Sequence, residues 1–292
     1  MKILVFGNGF IAASLIARLN SEGHEIVVFS RSYKENSLAR QIIGDIADTD
    51  LVSQALDCKP DVVIQTAWIT SHHNYASHPS NLMYSKITSN LAESLKQTEV
   101  KHMIILGTCA EYGPQQSASL AGITALNPQT YYAIQKVKAL EAIKESTQKS
   151  GLRITWARIF QPYGPNQDQK RLVPYLIKEL KNQKAVNLTN SSKVLDWIST
   201  RDIASAISWA INHELPTEID VGTSVGSTNW QILQKLESRI GRSSQWEKYS
   251  KLNADSSELV LVDKDSPLLV SGWKPNDTID TGLEWVLSSC EN

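Results

Sequence analysis

Cysteine is scarce: Cys58, Cys109 and Cys290 are the three in 292 residues, too few and too scattered for a disulfide framework or a zinc site. That scarcity fits a reducing compartment, so a cytoplasmic location is expected. An excess of charge of one sign is missing too. The 29 Lys and Arg stand against 30 Asp and Glu, a formal net charge of −1, and no block of like charges stands out. The basic footprint of a nucleic-acid or membrane-surface binder is therefore lacking, and neither partner is expected. No apolar run approaches the roughly 20 residues that cross a bilayer. Residues 1–10 set Lys2 before an apolar run, but Gly7, Asn8 and Gly9 interrupt it and no small-residue cleavage site follows, so they do not read as a signal peptide. Internal repeats and low-complexity tracts are absent. His72, His73 and His78 lie close together, yet no carboxylate or cysteine joins them at ligand spacing, so no metal is expected.

What is present is an ordinary globular composition, 41% hydrophobic and 20% charged. Residues 3–6, 25–29, 61–66, 102–107 and 153–159 are short apolar runs rich in Val and Ile, which read as strands covered on both faces. Helical patterns over 10–20, 49–58, 81–98 and 131–148 alternate with them. The alternation predicts an α/β, Rossmann-type doubly wound parallel sheet. After Phe160 the rhythm breaks at a turn-rich stretch, Gln161-Pro-Tyr-Gly-Pro165. Helices are expected at 172–182, after Arg201, at 228–240 and at 277–289, with a short strand at 218–221. These pieces predict a smaller, interleaved C-terminal substrate lobe. The division is residues 1–160 plus about 196–222 for the dinucleotide domain, and about 161–195 with 223–292 for the lobe.

The first strand runs into Gly7-Asn8-Gly9-Phe10-Ile11-Ala12, a G-x-G-x-x-A pattern opening a helix. Gly7 allows a tight turn, Gly9 lets backbone approach a pyrophosphate, and Ala12 lets the helix pack closely on the strand. The free N–H groups of the helix start then face the phosphates. The second strand ends in Ser30-Arg31-Ser32 rather than in an acidic residue that would bind the 2′-hydroxyl of NAD. A hydroxyl and a guanidinium suit a 2′-phosphate, so NADP is expected, with NAD as the alternative.

Tyr132 and Lys136 are four apart on a predicted helix and share a face. A phenol with an ordinary pKa near 10 is a poor proton-transfer group at neutral pH, and a nearby ammonium is expected to lower it. Thr108, at the carboxyl end of the strand over 102–107, is placed to hydrogen-bond the same reacting oxygen.

Taken in order, these motifs resemble the extended short-chain dehydrogenase/reductases, in particular the nucleotide-sugar epimerase, dehydratase and reductase group. Gly44-Asp45-Ile46 is similar to the family's adenine-contacting segment, and Pro60 to Ala67, with Thr66 and Ala67 at its end, to its fourth strand. Thr108 with Tyr112-Gly113, Tyr132 with Lys136, Arg158 to Pro165, Asp196 to Asp202 and Gly272-Trp-Lys-Pro275 match further segments in sequence. The resemblance implies that Tyr132 is the general acid/base, that Lys136 holds the nicotinamide ribose and lowers the tyrosine pKa, and that Thr108 orients the substrate oxygen. It also implies a homodimer packed through the tyrosine-bearing helix and its neighbour.

Departures bear on the substrate. Dehydratases of the group carry Asp-Glu directly after the Thr, where this chain has Cys109 and Ala110, so a 4,6-dehydratase is not expected. Leu195 replaces a phosphate-contacting Arg, Gln161 replaces an Asn, and Tyr84 stands where many members have an Asn. Arg171, Lys193 or Arg201 could supply replacement charge, and Trp68, after the fourth strand, could line the site. The expected activity is an NADPH-dependent reductase of a nucleotide-linked 4-keto-6-deoxy sugar. A nucleotide-sugar 4-epimerase with tightly bound NAD is the alternative, followed by a reductase of a carbonyl compound without a nucleotide or a non-catalytic dinucleotide sensor.

Overall fold

The computed structural model describes residues 1–35, 37–69, 74–188, 191–243 and 258–290. In chain order the first half forms β1 (Lys2–Phe6), α1 (Phe10–Ser21), β2 (Glu25–Ser30), β3 (Arg40–Ile43), α2 (Thr49–Leu56), β4 (Val62–Gln65), α3 (Ser80–Leu95), β5 (His102–Thr108) and α4 (Tyr131–Thr147). The second half forms β6 (Arg153–Ile159), β7 (Gln161–Tyr163), α5 (Leu172–Lys181), β8 (Val194–Ser199), α6 (Thr200–Asn212), β9 (Glu218–Val221), β10 (Gly226–Thr228), α7 (Asn229–Ile240), β11 (Leu259–Val260), α8 (Pro267–Val270) and α9 (Ile279–Ser289). No helix among the described residues is long and apolar enough to cross a membrane.

The expected doubly wound sheet is present. Seven strands run in the order β3-β2-β1-β4-β5-β6-β9, every neighbouring pair parallel. Side chains alternate across β1, so Ile3 and Val5 join the core beneath α1 and α6, while Leu4 and Phe6 join the core beneath α3 and α4. Chain order reverses between β1 and β4, which leaves a crevice at their carboxyl ends. The short edge strand β3 was not legible in the sequence, because Arg40–Ile43 is half-buried and too brief to show a period.

Strand β8 departs from the expected division, in which residues from about 196 onward belonged with the large sheet. It instead pairs in parallel with β7 and β11 and antiparallel with β10, forming a second, smaller sheet. Helix α6 and strand β9 return the chain to the large sheet, with α6 packed on α1. The small sheet packs with α5, α7 and α9 around Tyr163, Leu176, Trp197, Leu233 and Leu283. Asp196 ties it together: its buried carboxylate accepts from the amides of Thr223 (2.7 Å), Ser224 (2.9 Å) and Val262 (3.2 Å).

At the start of β5, His102 is buried. Its Nδ1 lies 2.7 Å from Nη2 of Arg153 and its Nε2 lies 2.8 Å from Oγ1 of Thr155. A guanidinium can only donate, so Nδ1 accepts and the ring is neutral with its proton on Nε2. Burial, and secondly the Arg153 charge, pull its pKa down to about 3. The unfolded chain, with an ordinary histidine, binds a proton through the window from about pH 6.5 to 3 that the folded protein refuses. Stability that is complete above pH 6.5 is therefore lost as pH falls. Relative to His102→Gln, the wild type is expected to lose about 2 kcal/mol between pH 7 and pH 5. Urea unfolding at the two pH values checks this, and parallel losses in both proteins would refute it.

Candidate functional site

Gly7 closes β1 with φ of +110°, a conformation that disfavours any side chain, and a Cβ there would come within 2.5 Å of Thr66 Oγ1. The amides of Thr66 and Ala67 both donate to the Phe6 carbonyl at 2.9 Å, which locks the end of β4 against that of β1. Helix α1 then starts at Gly9 without a side-chain cap, so its first N–H groups lack intrahelical acceptors. A Cβ built on Gly9 meets nothing within 4 Å, so the backbone there is open to close approach. The Nδ2 atom of Asn8 is buried without a hydrogen-bond partner among the described residues. An open glycine, an uncapped helix start and an orphaned amide donor together fit the pyrophosphate of a dinucleotide. Farther along the same crevice, Asp45 accepts from the Ala47 amide (2.9 Å), Ser30 Oγ donates to the Ser32 carbonyl (2.9 Å), and Arg31 is exposed.

One cleft of about 530 Å³ runs from this crevice to the small lobe. It is lined by Gly7, Asn8, Gly9, Phe10, Ile11, Ser30, Arg31, Asp45, Ile46, Thr66 and Ala67 at the nucleotide end. Trp68, Thr108, Cys109, Tyr132, Lys136, Gln161 and Arg171 line the remainder. Arg201 is not among the lining residues. Its guanidinium is bound to Asp277 (2.6 Å) and stacked 4.1 Å from the Trp285 ring centroid, so the expectation that it faces substrate is corrected. Lys193 pairs with Glu258 at 2.7 Å. Arg171, the N-cap residue just before α5, lies over the Tyr75 ring at 5.0 Å, and Tyr75 meets the edge of Tyr132 at 5.2 Å. His72 and His73 lie outside the described residues, and His78 accepts the Ser80 amide through Nδ1.

Thr108 ends β5 and caps the single turn at Cys109–Glu111. Its hydroxyl acts on the Tyr132 phenol, favouring the ionised form, and both side chains line the cleft. Thr130 caps α4 through its bond from the Ala133 amide, which fixes the helix start and puts Tyr132 beside Thr108. Lys136, one turn on, is buried, donates to the Leu106 carbonyl at 2.6 Å, and lies 3.7 Å from the Trp68 ring centroid. Trp68 is held in turn by its Nε1 bond to Asn81 (2.8 Å) and by stacking on Tyr84.

This arrangement corrects the expectation that Lys136 lowers the pKa of Tyr132. Burial first, then the carboxylate of Glu111, push the phenol above its ordinary value, while the Thr108 hydroxyl works the other way. The lysine is turned toward Leu106 and Trp68, with its ammonium 5.9 Å from the tyrosine ring centroid. Burial pulls Lys136 itself down to about 7, while Glu111 works the other way. A phenol held neutral is a proton donor, which suits delivery of a proton to a carbonyl oxygen. Cys109 is raised to about 12 by burial and the nearby carboxylates, so its thiol stays protonated and is no nucleophile at neutral pH.

The residue that sequence reading passed over is Glu111. It is fully buried and accepts from the Thr108 amide (2.8 Å), from Trp156 Nε1 (3.0 and 3.1 Å) and from Arg158 Nε (2.7 Å). Arg158, equally buried, also donates to Glu218 at 2.6 Å. Trp156 and Arg158 are two apart on β6 and so face the same side, opposite Ile105 and Gly107. An arginine inside an apolar strand requires a buried carboxylate, and that was the available signal.

The fold and cleft are those of a dinucleotide-binding protein, with a tyrosine, Tyr132, lining the cleft. Residues 3–222 match the NAD dependent epimerase/dehydratase family, and the chain belongs to that family. It is 24% identical to the UDP-glucose 4-epimerase of Lactobacillus helveticus over 98% of this chain and 97% of that protein. Among solved structures, the UDP-glucose 4-epimerase of Thermotoga maritima with UDP-glucose is similar at a TM-score of 0.85 and 21% identity, covering 100% of this chain and 99% of that one. The UDP-glucose 4-epimerase of Thermus thermophilus in complex with NAD is similar at 0.86 and 22% identity, with the same coverage.

Proposed function

We propose that this chain is a nucleotide-sugar 4-epimerase that keeps NAD bound, with Tyr132 as its proton-handling group. The observation that carries the reading is the meeting of Thr108, Tyr132 and Lys136 in one cleft with the dinucleotide crevice, where Cys109 and Ala110 follow Thr108 in place of an acid–base pair. The likeness to UDP-glucose 4-epimerases along nearly the whole chain supports an epimerase over the reductase expected from sequence. When bound, the nicotinamide supplies the hydride acceptor and donor. Tyr132 would exchange the proton with the sugar oxygen: its neutral phenol donates when the carbonyl is reduced, while taking the hydroxyl proton as the carbonyl forms needs its phenolate, the form that burial disfavours, and Thr108 would hold that same oxygen. Arg171, at the far end of the cleft, supplies positive charge for the nucleotide diphosphate. A homodimer packed through α3 and α4 belongs to the same reading, and the exposed Leu82 and Met83 on α3 support it.

Arg31 favours a second reading, the NADPH-dependent 4-keto-sugar reductase, because a guanidinium lines the cleft where an acidic residue would bind NAD. One experiment separates the two. The purified protein is denatured, any released nucleotide is identified, and the native protein is assayed with UDP-glucose for inversion at C4. Released NAD with inversion supports the epimerase. A protein free of nucleotide that prefers NADPH over NADH and oxidises it with a nucleotide-linked 4-keto-6-deoxy sugar overturns that reading in favour of the reductase. Absence of both activities removes both.

A further inference from the structure

We propose that Glu111 is a positioning residue of this site: its carboxylate, clamped by Arg158 and Trp156, fixes the backbone that carries Thr108 and supplies the counter-charge for the buried ammonium of Lys136. This goes beyond the assignment of Thr108, Tyr132 and Lys136 and rests on it, because it concerns how those three are held.

The geometry is specific. Glu111 Oε1 accepts the Thr108 amide at 2.8 Å, while the Thr108 hydroxyl accepts the Ala110 amide at 3.3 Å. The turn after β5 is thus closed at both ends, and the hydroxyl that meets Tyr132 has one fixed origin. On the far side Trp156 Nε1 bridges both carboxylate oxygens and Arg158 Nε binds Oε2 at 2.7 Å, so the side chain cannot rotate away. Gly107 makes the room. A Cβ there would collide with the Trp156 indole nitrogen and come within 2.9 Å of Glu111 Oε1.

The charge argument starts from what surrounds this carboxylate. Arg158 faces it from β6, Lys136 and Tyr132 from α4, Asp220 from β9, and Cys109 and Tyr112 from its own turn. Glu218, also on β9, reaches it through the shared Arg158 guanidinium. Of these, Arg158 and Lys136 are the cations. The ammonium of Lys136 has a carbonyl and three aromatic rings for neighbours, from Trp68, Tyr132 and Trp156. None of those carries a full negative charge, and the Trp156 ring, 5.7 Å from the ammonium, gives its Nε1 to Glu111, which brings that carboxylate into the same buried cluster, where its charge favours the protonated lysine. Without Glu111, desolvation of Lys136 goes unopposed and the ammonium gives up its proton at lower pH.

The test reads the protonation of Lys136 directly, without substrate or nucleotide, so its outcome is independent of whether the proposed reaction is right. Because the ammonium sits 3.7 Å from the Trp68 ring centroid, its loss of a proton changes the emission of that indole. Tryptophan emission is titrated from pH 5 to 10, and the same curve in a Trp68→Phe background is subtracted, in the wild type, in Glu111→Gln and in Lys136→Met. The expected result is a transition near neutral pH in the wild type, absent in Lys136→Met, and displaced toward acid by about one pH unit or more in Glu111→Gln. Should Glu111→Gln not fold, Glu111→Asp withdraws the carboxylate by one methylene, and its midpoint is expected to move the same way by a smaller amount. A midpoint equal to that of the wild type in whichever variant folds overturns the proposal. So does a transition that persists in Lys136→Met.

Discussion

Tyr132→Phe leaves the protein folded and its affinity for the dinucleotide within a small factor of the wild type, yet turnover falls by about 10²–10⁴-fold. The phenol hydroxyl is the atom removed. The ring keeps its edge contacts with Trp68 at 6.3 Å and Tyr75 at 5.2 Å, so packing at the start of α4 is retained. The loss therefore reports proton transfer rather than architecture. Thr108→Ala is the useful companion, since it takes away the hydroxyl that shares the cleft with Tyr132 and leaves the phenol in place. The two losses are not additive if both groups act on one oxygen. Steady-state rates of the two single variants and the double variant check this, and a Tyr132→Phe protein with unchanged turnover refutes the assignment.

Arg158→Met is expected to destabilise the protein by about 3–5 kcal/mol, more than loss of any exposed ion pair. The guanidinium is fully buried between Glu111 and Glu218, and its removal strands the Glu111 charge in the core. The exposed i,i+4 pair of Arg18 with Glu22 is the contrast: breaking it costs about 0.3–0.5 kcal/mol, because water screens both partners. A stranded charge makes a further prediction by sign. Glu111→Gln added to Arg158→Met recovers part of the lost stability, since the carboxylate that lost its direct ion-pair partner is gone. Urea unfolding of the wild type, both single variants and the double variant closes that cycle. A double variant less stable than Arg158→Met alone would show that desolvated charge is not the cause.

The strands of the large sheet were legible because burial on both faces writes them as unbroken apolar runs, such as Ile3 to Phe6 and Met103 to Leu106. The small sheet was not, because β7, β10 and β11 are two or three residues long and β8 has a partly exposed start. Motif spacing gave the residues that line the cleft, since strand ends deliver them there whatever their rotamers. It could not give the direction of the Lys136 side chain. That direction depends on a carbonyl in β5 and an indole after β4, which the helix carrying Lys136 does not encode. Arg201 misled for a related reason. Its position after β8 looked favourable, but Asp277, far along the chain, captures it. Glu111 went unread because a lone acidic residue in a turn looks solvated until Arg158 is recognised as a buried cation in search of a partner.

Gly107 carries a consequence for how this sequence can change. The glycine, Trp156, Glu111 and Arg158 fill one another's space, so no single position among them is free to drift. Enlarging residue 107 first requires a smaller side chain at 156 or a neutral one at 111, and neutralising 111 leaves the guanidinium at 158 half-served. Viable routes must therefore move several of these positions together, through intermediates weaker than either end. A designer reshaping the substrate side of the cleft would do better to leave this foursome alone and work at Gln161 and Arg171, which stand outside it.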